Sequence, residues 1–86
     1  MAATPETLKV VINSPDELIW EGEAESVSSE NSTGKFDVLA EHANFVTMIT
    51  NKPITIRTVG GKNQVFSYKT AVLSVRGGRV TIYAEI

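Results

Sequence analysis

Apolar and polar residues alternate along this chain almost from end to end, and nowhere does the pattern give way to the 3.6-residue spacing of an amphipathic helix. A period of two sends successive side chains to opposite faces of an extended backbone, so the chain reads as strands with one buried face. Leu8, Val10 and Ile12 point one way, with Lys9 and Asn13 on the other side. Ile54 and Ile56 alternate with Thr55 and Arg57, and Phe66 and Tyr68 with Ser67 and Lys69. Ala71, Leu73 and Val75 oppose Ser74 and Arg76, and Val80, Ile82, Ala84 and Ile86 oppose Thr81, Tyr83 and Glu85. Turn chemistry divides these runs at Ser14-Pro15-Asp16, Asn51-Lys52-Pro53, Gly60-Gly61-Lys62-Asn63 and Gly77-Gly78.

The middle of the chain is less regular. Leu18-Ile19-Trp20 is an apolar patch that ends at Glu21-Gly22, and Ala24 to Ser29 reads as a strand whose only large apolar residue is Val27, with a weakly buried inner face. Ser28 to Gly34 reads as a loop or hairpin tip, Phe36 and Val38 point together, and Phe45, Val46, Met48 and Ile49 form a further apolar run. About ten short strands result, the pattern of an all-β sandwich or flattened barrel. With 86 residues and no repeat, low-complexity tract or linker, residues 1–86 are expected to form one domain.

Composition removes several function classes. The chain has no cysteine, which excludes disulfide staples and thiolate metal sites. A net charge of −2, a pI near 5.3 and scattered basic residues argue against nucleic acid, whose phosphates need clustered Lys and Arg. No apolar stretch approaches the roughly 20 residues of a transmembrane helix, so no direct membrane insertion is expected. The segment from Met1 to Thr7 lacks the basic and hydrophobic regions of a signal peptide, which leaves the Asn31-Ser32-Thr33 sequon without a secretory context.

Catalytic chemistry is sparse. His42 is the only histidine, and three readings stand for it: a turn residue bonded to backbone, an interface residue that titrates near neutral pH, or one ligand of a metal site with Glu41 and a distant carboxylate. Glu21, Glu23 and Glu25 share a strand face, either as a solvated surface or as paired acids. Gly60-Gly61-Lys62 and Gly77-Gly78-Arg79 read as hairpin turns, since neither has the spacing of a phosphate-binding loop. Trp20 suits a core or a protein interface; exposed beside Tyr68 or Tyr83 it would make a carbohydrate platform. No catalytic, cofactor or metal set can be named, and a protein-binding sandwich is the expectation, with a free-standing carbohydrate- or protein-binding module as the alternative.

The run Gly34-Lys35-Phe36-Asp37-Val38-Leu39-Ala40-Glu41-His42-Ala43 resembles the Gly-x-hydrophobic-x-Val-Leu-x-x-His-Ala pattern of the epsilon subunit (delta in mitochondria) of rotary F-type ATP synthases. Further pieces follow in the same order: Leu8 to Pro15, Trp20-Glu21-Gly22 to Val27, Phe45-Val46-Thr47, Phe66, Val72-Leu73 with Val75, and Val80 to Glu85. The resemblance implies a non-catalytic central-stalk subunit that fastens the gamma subunit to the membrane c-ring, at the cytoplasmic face of an energy-coupling membrane, without a cofactor. It implies Lys35 and His42 as contacts on the c-ring side, and Ser14, Ala43, Asn44, Phe45 and Val46 as contacts on the gamma side.

The chain departs from that pattern in places. Ala40-Glu41 stands where Pro-Gly commonly precedes the histidine, Lys35 where an acidic or polar residue is common, and Thr70-Ala71 where Gly-Gly precedes the penultimate strand. The family commonly continues into a two-helix hairpin that inhibits hydrolysis or binds ATP. Because the sequence stops at Ile86, no helical C-terminal domain, and neither of those activities, is expected of it.

Overall fold

A computed structural model describes residues 7–41 and 43–85; His42 and Ile86, the latter expected on the inner face of the last strand, lie outside them. Eight strands are present among the described residues: β1 (Leu8–Asn13), β2 (Leu18–Asn31), β3 (Gly34–Leu39), β4 (Phe45–Thr50), β5 (Pro53–Thr58), β6 (Asn63–Ser67), β7 (Thr70–Arg76) and β8 (Arg79–Ala84). The all-β expectation holds, with fewer strands than the ten read from sequence. The apolar patch at Leu18 and the polar stretch from Ala24, which looked like separate strands, are one 14-residue strand that runs through Gly22.

The strands follow the order β4-β7-β8-β1-β2-β5-β6, with β3 also paired to β2. All pairings are antiparallel except β1 with β8, which run parallel. The long strand β2 belongs to two layers. Its first half pairs with β1 in a front layer, and its second half lies between β3 and β5 in a back layer. A register irregularity between Ala24 and Ser26 marks the change, and there the buried positions step from Ala24 to Val27 instead of by two. Sequence reading expected a weakly buried inner face here; instead Ala24 and Val27 are fully buried and Ser29 is 8% exposed, because the stretch is central in the back layer.

The core is what the alternation selects: Leu8, Val10 and Ile12 from β1, Ile54 and Ile56 from β5, Leu73 and Val75 from β7, Val80 and Ile82 from β8. The buried polar Ser29 donates from Oγ to the carbonyl of Pro53 at 2.9 Å, so burial leaves its hydroxyl satisfied. Aromatic rings pack at the margins. Phe36 of β3 meets Phe45 of β4 edge-on with centroids 5.7 Å apart, while Trp20 of β2 meets Phe66 of β6 at 6.2 Å.

Candidate docking surface

One face of the front layer covers the core, and the other faces out. Registered neighbours share a face, so the outward rows can be read across the strands. Val46, Ser74, Thr81 and Val11 form one row, and Met48, Val72, Tyr83 and Asn13 the next. Directly paired residues hold their Cβ atoms about 5 Å apart, so these side chains make one surface. Val46 is 67% exposed, Met48 56% and Tyr83 46%, with Val11 and Val72 half-buried between them. A contiguous exposed apolar patch marks a contact site. It carries no reactive pair of groups.

The candidate residues from the sequence fall into separate places. Val46 lies within the apolar patch. Asn44 accepts a hydrogen bond at Oδ1 from the backbone N–H of Gly77 at 2.9 Å, tying the lead-in of β4 to the β7–β8 turn. Phe45 turns inward onto Phe36, and Ala43 is exposed just before β4. Ser14 sits at the far end of β1, in the turn into β2. Its Oγ accepts from the N–H of Glu17 at 3.1 Å and of Asp16 at 3.3 Å, and its own N–H donates to the carbonyl of Glu17. That hydroxyl shapes a turn.

Lys35 is exposed at the start of β3, registered opposite Glu30 in the β2–β3 hairpin. Sequence reading takes Ser28 to Gly34 as a loop or hairpin tip, but β2 runs on to Asn31 and Gly34–Leu39 is a strand. Four residues of strand, about 13 Å, therefore separate Lys35 from the β3–β4 connection that contains His42, itself outside the described residues. The structure thus groups Asn44, Phe45 and Val46 at one end of the front layer, leaves Ser14 at the other, and sets Lys35 apart from both.

Sequence reasoning missed Met48, Val72, Tyr83 and Val11 as a surface. Each is visible as an apolar residue on the polar side of an alternating strand, but their adjacency depends on a β4-β7-β8-β1 order that the sequence does not spell out. Of the two carbohydrate platforms, the Trp20–Tyr83 pair does not assemble, while Trp20 and Tyr68 both pack on Phe66 and are partly buried against the core. Trp20 is registered with buried Ile12 on the inner side and packs on Phe66, whereas Tyr83 points out from the opposite face. Tyr68 stacks on Phe66 at 6.5 Å; burial, and secondarily the charge of Glu85, push its phenol above the ordinary value. Glu21, Glu23 and Glu25 are all exposed. No helix among the described residues is long and apolar enough to cross a membrane.

Residues 7–86 match the family described as the ATP synthase Delta/Epsilon chain, beta-sandwich domain. The chain belongs to this family. Among relatives of this Delta/Epsilon type, the ATP synthase epsilon chain of Clostridium novyi is 30% identical over 79 residues, which are 92% of this chain and 60% of that one. The epsilon chain of Corynebacterium aurimucosum is 33% identical over 73 residues, 84% of this chain and 60% of the relative. The chain thus spans about three fifths of the length of the epsilon chains it matches.

Solved structures agree on the fold. A chain in the Euglena gracilis mitochondrial ATP synthase (OSCP/F1/c-ring) superposes with a TM-score of 0.85 at 20% identity, covering 96% of this chain and 53% of that one. A chain in the Tetrahymena thermophila mitochondrial ATP synthase central stalk and c-ring gives 0.74 at 12% identity, covering 92% and 63%. The kinship is with the beta-sandwich domain of ATP synthase epsilon chains.

Proposed function

We propose that this chain is the sandwich of a non-catalytic rotor subunit in a proton-driven F-type ATP synthase, fastening the gamma subunit of the central stalk to the membrane c-ring. It would sit peripherally at the cytoplasmic face of the energy-coupling membrane, held by the complex. The observation that carries this reading is the outward apolar patch of Val46, Met48, Val72 and Tyr83, on a domain of the Delta/Epsilon family. A stiff β-scaffold with one sticky face suits a part that transmits force without reacting.

In this reading gamma covers the apolar face, with Val46 inside the contact, Ala43, Asn44 and Phe45 along its edge, and Ser14 at the opposite end of the same layer. Lys35, exposed at the start of β3, and His42 carry the c-ring contact. The test is a tagged pull-down of the chain from detergent-solubilised host membranes, with the co-purifying proteins identified by mass spectrometry. Recovery of gamma, the catalytic subunits and the c-ring is the expected result; a clean preparation lacking them, from a host that makes the complex, overturns the reading.

A further inference from the structure

The outward row beside the apolar patch is cationic. Arg76 is registered directly opposite Arg79, and Arg79 opposite Lys9, so three exposed positive side chains lie abreast over two strand spacings, about 10 Å. Like charges placed directly opposite one another destabilise a sheet. Among the described residues none of the three forms a salt bridge; Glu23 stands opposite Lys9 at the β2 end of the row, where one of its oxygens accepts from Thr7 Oγ at 2.9 Å, and the register sets no acid opposite either arginine. The chain as a whole is acidic, at −2, so this row runs against its general charge.

The row is also held in place. Gly77 and Gly78 both take positive φ, 55° and 78°, which closes a two-residue turn between the arginines. Gly77 N–H is fixed by Asn44, and the Gly78 carbonyl accepts from the N–H of Lys9 at 3.0 Å. Unpaired, pre-positioned charge at the rim of an apolar patch is the arrangement that steers a complementary partner and sets its orientation.

We infer that Lys9, Arg79 and Arg76 receive an acidic segment of the same polypeptide that covers the apolar face. The inference rests on the docking reading above and adds the sign and location of the partner's charge. A helix lying across the strands would meet the row with carboxylates spread over about seven residues, since 1.5 Å per residue spans the same 10 Å. Its apolar side would then lie over Val46 and Tyr83.

The experiment measures rebinding of the chain to the host's ATP synthase complex stripped of it, as a function of salt, for the wild type, the Arg76→Gln/Arg79→Gln pair and Val46→Asp. The wild type is expected to weaken as salt rises, and the glutamine pair to bind about tenfold more weakly near 0.05 M salt yet match the wild type near 1 M, where charges are screened beyond about 3 Å. Its thermal midpoint should not fall, because the substitution removes a repulsion. Wild-type binding indifferent to salt and to the glutamine pair, with Val46→Asp still defective, overturns this inference and leaves the docking reading standing. Absence of wild-type rebinding overturns both. Salt-dependent binding to phosphatidylglycerol vesicles that the glutamine pair abolishes, with complex binding unchanged, overturns it in favour of a membrane contact.

Discussion

Trp20 lies over Gly22: a Cβ atom at position 22 would stand 2.8 Å from Cη2 of the indole and 3.0 Å from Cζ2. The ring folds along its own strand across a position that has no side chain, and from there reaches Phe66 on β6. Gly22 does not take a positive φ, so alanine there meets no backbone strain and would ordinarily stabilise by restricting the unfolded chain. The rigid ring reverses that sign.

Gly22→Ala is therefore expected to destabilise by about 1–3 kcal/mol, the usual range for overpacking, and to shift tryptophan emission to the red as the ring is pushed toward water. Since Trp20 is the single tryptophan, its fluorescence reports the displacement without ambiguity. Equal or higher stability with unchanged emission would show that the indole has room to move.

Fold and docking should separate cleanly by face. Ile82, fully buried on β8 between β1 and β7, should cost about 2–5 kcal/mol on truncation to alanine, a large part of the stability of so small a domain. Met48→Ser, at a 56% exposed position on the outward face, should change the chemical-denaturation midpoint little, within about 0.5 kcal/mol, yet weaken retention by the complex. Both are read from a denaturation curve beside a pull-down.

Asn44→Ala removes the acceptor of the Gly77 N–H and loosens the link between the lead-in to β4 and the β7–β8 turn. The expected loss is about 0.5–1.5 kcal/mol, with faster hydrogen exchange at the Gly77 amide. Asn44→Asp keeps the acceptor and should restore slow exchange.

Tyr68 carries a pH dependence that follows from its surroundings. Burial first, and the charge of Glu85 second, raise its phenol above the ordinary value of 10.0. A group that holds its proton more tightly when folded contributes stability below its unfolded value. That contribution is lost as pH climbs through the folded value, so the domain should weaken only in alkali above about pH 10. Titration of the phenolate absorbance checks this; Glu85→Gln should lower the Tyr68 midpoint in part, because burial remains.

Much of the core was legible because the strands alternate. Leu8, Val10 and Ile12, Ile54 and Ile56, and Leu73 with Val75 are buried as their spacing predicts. The reading failed along β2, where the irregularity between Ala24 and Ser26 shifts the inward positions by one and a polar composition conceals a central strand. It failed again at Ser28 to Gly34, read as a loop or hairpin tip, where pairing to β3 carries β2 on to Asn31.

For the docking surface, the individual residues were visible and their neighbourhood was not. Val46, Met48 and Tyr83 stand out as apolar side chains on the outward side of their strands, but β4 reaches β8 only through β7, the strand that follows β5 and β6 in the chain. Arg76 and Arg79 could be paired across their Gly-Gly turn from sequence alone, whereas Lys9 joins them only because β1 runs parallel beside β8.

The sequence by itself determined the all-β class, most of the inward-facing residues and the family pattern, since each depends on local periodicity and turn chemistry within a few residues. Tertiary structure alone decided that β2 serves two layers, that Trp20 closes over Gly22, and that an apolar patch and a cationic row lie side by side on the outward face. Those features depend on which strands become neighbours, and strand order follows from how the whole chain buries its apolar faces at once, so no single segment encodes it.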